Sequence, residues 1–149
     1  MAKVRPEYEV VEEFSKLANQ IVEKYPEIFC GVDADKICCV KVTNKERGET
    51  NNKLWKLEAV KMPVRWHCAY AWYITLFSSE WDILDESHKL ALIAEILCGV
   101  PKEINNEGKV NGFDSKGYKL MQRTFKTIDY MTDPVIPHIL NEDIDWVQK

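Results

Sequence analysis

Residues 81–101, WDILDESHKLALIAEILCGVP, read as a capped and almost wholly apolar helix with one acid, Glu95, in its middle. A carboxylate set among apolar side chains must be paired, protonated or put to use. The use best known for a helical Glu is hydrolytic. Two imidazoles one turn apart hold a zinc ion, and a Glu directly after the first acts as general base on the metal-bound water. Here the two imidazole positions hold Ala94 and Cys98. The acid suggests the chemistry, and its neighbours argue against it.

Other chemistry-bearing residues are dispersed. The five cysteines, at 30, 38, 39, 68 and 98, are odd in number and without paired spacing, which points to reduced thiols rather than a disulfide framework. Cys38 and Cys39 are adjacent, so on a strand they face opposite ways and do not share a metal. His67 and Cys68 are adjacent too, which is a poor geometry for a nucleophile and its base. His88 falls in the first turns of the apolar helix and is expected on its exposed side, and His138 follows Pro137. Neither has a partner visible in the sequence. The glycines form no phosphate-binding loop and no Ser stands in a nucleophile elbow. Of the five tryptophans, Trp72 and Trp81 suit the core, while Trp55 and Trp66 flank loops. Large aromatics at a surface commonly anchor partners, so Trp55, Trp66, His67 and Trp72 define a candidate interface within residues 55–73.

These residues need a framework, and apolar spacing supplies one. Val10, Val11, Phe14, Leu17, Ala18, Ile21, Val22 and Tyr25 recur at the three-and-four interval of an amphipathic helix over residues 7–25, ended by Pro26. Residues 36–43 (KICCVKVT) and 54–62 (LWKLEAVKM) read as strands joined by a charged hairpin loop, which makes that pair antiparallel. In the second of them Trp55, Leu57 and Ala59 form the more apolar set. A third strand, 70–77 (YAWYITLF), is apolar enough to meet something on both faces. The helix with Glu95 follows, with Asp85 as its N-cap and Gly99 just past its end. A further helix over 114–128 is capped by Asp114. The tail from about 129 is expected to be irregular, pinned by Ile136, Ile139, Leu140 and Trp146. The fold expected is a single α+β domain: an N-terminal helix, a small, mostly antiparallel three-stranded sheet, a buried core helix and a C-terminal helix.

Bulk properties set the limits. A chain of 149 residues with 46% hydrophobic and 30% charged residues can bury a core of its own. Its net charge of -4 favours neither a nucleic-acid groove nor an anionic membrane surface. No apolar run reaches the roughly 20 residues of a membrane span, and acids occupy the N-terminal stretch where a signal peptide is apolar. A cytoplasmic protein is expected, in the host cytoplasm if a phage encodes it.

The order of elements and the wording of ITLFSSEWDILDESHKLALIAEILCGVP resemble the putative phage metallopeptidase family, and YEVVEEFSKLANQIVEKYPEIF and ICCVKVTNKE extend the resemblance across most of residues 7–128. It implies a zincin-like fold whose central helix carries His-Glu-x-x-His and whose later His-Asp pair completes the site. In that frame the first histidine becomes Ala94, the Glu persists as Glu95, and the second histidine becomes Cys98. Phe113 and Asp114 take the place of the His-Asp pair. The resemblance therefore implies a metallopeptidase framework with a degenerate zinc motif, no resident metal or other cofactor, and a task of protein binding. A phage- or prophage-encoded accessory or host-interaction protein fits, with interference with a host defence as one form of that role. Two alternatives stay open. One is a divergent zinc peptidase in which Cys98, Asp114 and a distant histidine bind the metal and Glu95 remains the base. The other is a homo-oligomeric structural or assembly component built on the exposed aromatics.

Overall fold

The computed structural model describes residues 7–29, 32–44, 55–100, 119–125, 136–142, 144 and 146. Strand β1 (Tyr8–Val10) leads into helix α1 (Glu12–Lys24) and a short helical turn, α2 (Pro26–Phe29). After a 3-10 turn at Ala34–Lys36 come β2 (Ile37–Val42), β3 (Trp55–Ala59), the short α3 (Val64–His67) and β4 (Trp72–Phe77). Then follow α4 (Ser78–Trp81), α5 (Glu86–Cys98) and α6 (Lys119–Phe125). The class is α+β, as the sequence pattern indicates.

The four strands form one mixed sheet in the order β1-β2-β4-β3. Pairing is antiparallel at β1–β2 and at β3–β4, and parallel at β2–β4. Two expectations change here. The sheet has four strands rather than three, and β2 and β3 do not form a hairpin, because β4 lies between them. The physical reason is burial. Trp72, Ile74 and Leu76 of β4 are all buried, and so apolar a strand gains most in the centre of a sheet. β3 exposes Lys56 and Glu58 and half-buries Trp55, Leu57 and Ala59. Charged side chains of that kind suit an edge. The added strand, β1, occupies residues read as the start of the first helix. Tyr8 and Val10 are exposed, and pairing with β2 takes up their backbone groups. Val11 N–H then donates to Cys39 O at 2.9 Å, and α1 begins at Glu12.

One face of the sheet and the two long helices enclose the core. Helix α1 packs against both β2 and α5, and Ile37 and Cys39 of β2 share one core cluster with Phe14, Ala18 and Ile21 of α1 and the buried residues of α5. α5 is buried nearly all round: Leu90 to Ala94, Ile96 and Leu97 are at most 1% exposed. Each large aliphatic among them contributes about 1.5–3 kcal/mol by leaving water. Asp85 caps the helix, its side chain accepting from His88 N–H at 2.8 Å, and Gly99 ends it. Both boundaries agree with the sequence pattern.

His88 corrects an expectation. It is buried rather than exposed, and its Nδ1 lies 2.6 Å from Asp85 Oδ1. The capping carboxylate, three residues back, meets both the backbone and the ring of His88, and that contact supplies the partner a buried imidazole needs. His138 also has partners. Asn141 N–H donates to its Nδ1 at 3.0 Å, and its Nε2 stands 3.3 Å from Glu86 Oε1, outside hydrogen-bonding geometry.

The tail is held in an irregular course. Lys24 Nζ donates to the carbonyls of Ile139, Leu140 and Glu142 at 3.0, 2.9 and 2.7 Å. Tyr25 OH accepts from Ile144 N–H at 2.9 Å. Trp146 meets the rings of Tyr25, Phe29 and Phe125 edge-on. Ile136 and Ile139 are buried, and Leu140 packs against the core.

Candidate functional site

On α5 the only positions not fully buried between Leu90 and Cys98 are Glu95 and Cys98, one turn apart on the same face. Ala94, beside them in sequence, is 0% exposed and sits within the core cluster. Above Glu95 lies the edge strand β3, whose first residue reaches it: Trp55 Nε1–H donates to Glu95 Oε2 at 3.4 Å. The half-buried carboxylate is thus met by an indole donor. Trp55 was a candidate for the surface. In the fold it packs partly against the core and joins the edge strand to the acid of the helix.

Asp114 and Phe113 lie outside the described residues, so the site as described consists of Ala94, Glu95, Cys98 and Trp55. A catalytic zinc needs three protein donors converging on one point. Ala94, at the position that the resemblance aligns with the first imidazole, has only a methyl group. Among the described residues no group of three or more His, Cys, Asp or Glu side chains could hold a metal ion. The donors among the described residues, Glu95 and Cys98, do not by themselves make a zinc site.

The other candidate residues are placed apart from this acid. Trp66 and His67, on α3, are exposed, Trp66 by 79%, and their rings stand 5.3 Å apart. Met62 and Val64 beside them are exposed by 73% and 60%. Trp72 is buried, so it serves the core. Two open grooves, of about 480 and 510 Å³, meet at Glu13; the first is walled by Glu9, Lys41 and Asp82, the second by Lys16, Gln20 and Lys89. Neither includes Glu95. Glu13 itself is occupied, accepting from Trp81 Nε1–H at 3.1 Å and from Lys89 Nζ at 3.3 Å.

Sequence reasoning missed the Trp55–Glu95 contact and the surroundings of Cys68. The first joins residues 40 positions apart, and no local signal announces it. For the second, Tyr70 N–H donates to Cys68 Sγ at 3.4 Å, and Tyr73 OH lies 3.6 Å from the same sulfur. Those donors, together with nearby Arg65, hold the Cys68 thiol below its ordinary range. The partners of Cys68 are tyrosines, not its neighbour His67.

Taken together, a mixed four-stranded sheet with a buried helix beneath an edge strand defines a small α+β protein. The sequence pattern of the putative phage metallopeptidase family matches residues 6–135, and the chain belongs to that family. No curated protein and no solved structure matches the chain. No helix among the described residues is long and apolar enough to cross a membrane.

Proposed function

We propose that this phage-metallopeptidase-like protein has lost peptide hydrolysis and acts by binding a protein partner. In this reading it is an accessory protein of a phage or prophage, working in the host cytoplasm, with interference with a host defence as one form of that task. The observation that carries it is the pairing of a buried alanine at the first ligand position with a general-base position engaged by Trp55. A carboxylate that activates water must reach a metal-bound water, and here Ala94 offers no donor to bring the metal. Among the described residues β3 is the edge strand beside that acid, and an edge strand can take an extended segment by main-chain hydrogen bonds. The exposed Trp66, Met62 and Val64 in the connection after β3 add anchoring area.

Elemental analysis of the purified full chain, with peptidase assays on the wild type and Glu95→Gln, tests the first half. The expected result is zinc well below one per chain and no hydrolysis that depends on Glu95. One tightly held zinc per chain, with activity lost in Glu95→Gln, overturns the reading in favour of a rearranged site using Cys98 and Asp114. Panning a random-peptide library and following amide exchange in residues 55–59 tests the second half. Selected peptides should slow exchange in β3. Peptides that leave β3 unprotected would move the binding surface elsewhere. A mass that rises with concentration would favour the self-assembling alternative.

A further inference from the structure

We propose that Cys68 and Cys38 form a peroxide-responsive dithiol on the outer face of the sheet, with Cys68 as the thiol that reacts and Cys38 as the thiol that resolves it. The proposal stands apart from the binding reading, since neither cysteine belongs to the Glu95 site.

The geometry comes from three segments. Cys38 and Tyr73 are register partners on the parallel strands β2 and β4, so both side chains leave the sheet on the same side. Their neighbours Cys39 and Ile74 point into the core, while Cys38 is half-buried and Tyr73 is 37% exposed. The segment between α3 and β4 lays Cys68 over that outer face, with its sulfur within 3.6 Å of the Tyr73 hydroxyl. Tyr73 thereby neighbours Cys38 through the sheet and Cys68 through its hydroxyl, and the two cysteines are near enough for the charge of Cys68 to act on Cys38.

Reactivity divides between them by environment. A thiolate is the nucleophile, and it is favoured where N–H and O–H donors point at the sulfur and water can reach it. Cys68 has such donors in Tyr70 N–H and Tyr73 OH and is partly exposed. Tyr73 remains a donor, because its bond to Cys68 and its partial burial push the phenol up to about 12. Cys38 is held as a neutral thiol by burial first and then by the charge of Cys68. Cys39 is pushed up by burial, and Cys38, Cys39 and Cys68 are free thiols.

The chemistry balances with a hydroperoxide as oxidant. The Cys68 thiolate attacks the peroxide oxygen, the O–O bond breaks, and the alcohol or water leaves with a proton, giving Cys68 sulfenic acid. Cys38 sulfur then attacks Cys68 sulfur, the S–O bond breaks, and hydroxide departs as water with the Cys38 proton. Two thiols lose two electrons and the peroxide gains them.

The test treats the reduced full chain with stoichiometric hydrogen peroxide and maps peptides without reduction. The expected product is a Cys38–Cys68 crosslink two hydrogens lighter than the dithiol. It should be absent in Cys68→Ser and replaced in Cys38→Ser by a dimedone adduct on Cys68. Before oxidation, Cys68 should be alkylated by iodoacetamide about tenfold faster than Cys39 or Cys98, and Tyr73→Phe should slow it severalfold. First oxidation at another cysteine, a crosslink through another pair, or wild-type sulfenic acid that persists at Cys68 each overturns the proposal. Circular dichroism of both serine variants checks that they keep the fold.

Discussion

Glu95 and Asp85 are two acids of one helix with opposite uses. Asp85 lies before the first turn, where His88 N–H and the His88 ring hold its carboxyl below the usual carboxylate range, the backbone donor contributing most. A carboxyl lowered on folding contributes stability that is fully present above its unfolded value and is lost as pH falls through the folded one. Asp85→Asn keeps a capping oxygen but removes the titration. Urea midpoints of wild type and Asp85→Asn should therefore converge as pH falls below about 4. Parallel curves across that range would show that the charge of Asp85 contributes nothing. Glu95 has no such cap to serve. Glu95→Gln retains an oxygen for Trp55 Nε1–H, so it should cost less stability than Ile93→Ala nearby, which should cost about 2–5 kcal/mol. A loss of several kcal/mol in Glu95→Gln would make the carboxylate a structural charge rather than a remnant. That Ala94, Glu95 and Cys98 share one helix was legible from apolar spacing and caps. Trp55 was not, because only the folded sheet brings it over the helix.

At the scale of elements, local signals were legible and long-range pairings were not. Asp85 and Gly99 bound α5 because a cap and a stop act within one turn of chain. The alternation of Trp55, Leu57 and Ala59 against Lys56 and Glu58 identified the buried face of β3. Strand order is a different kind of fact. It depends on which strand buries most area at the centre, and β4 takes the place that a hairpin would have given to β3. β1 was read as helix because Val10 and Val11 fit the helical interval as well as they fit a strand, and pairing with β2 decides the matter. The tail was legible in its apolar anchors, yet its polar clamp was not. Tyr25→Phe leaves Ile144 N–H without its acceptor, which should cost about 1–3 kcal/mol if the group stays buried. Faster amide exchange confined to residues 136–146 would locate the effect, and unchanged stability and exchange would show that Lys24 and the aromatic contacts of Trp146 suffice.

For the whole molecule, the question is whether this member of a metallopeptidase family depends on a metal for its stability. A zinc ion bound only by the native chain would raise stability through mass action, by about 2.7 kcal/mol at a hundred times its dissociation constant. For a chain of this length that corresponds to several degrees in melting temperature. The core has another source of stability: α5 is enclosed by apolar contacts along most of its length, Ala94 among them. Packing of that kind is independent of chelators. The melting temperature should therefore be the same after EDTA treatment and after addition of equimolar zinc, as read by scanning calorimetry on the full chain. A midpoint that falls with EDTA, returns with zinc and no longer responds in Cys98→Ser would mean that the helix kept one ligand and recruited others. The binding reading would then give way to a working metal centre.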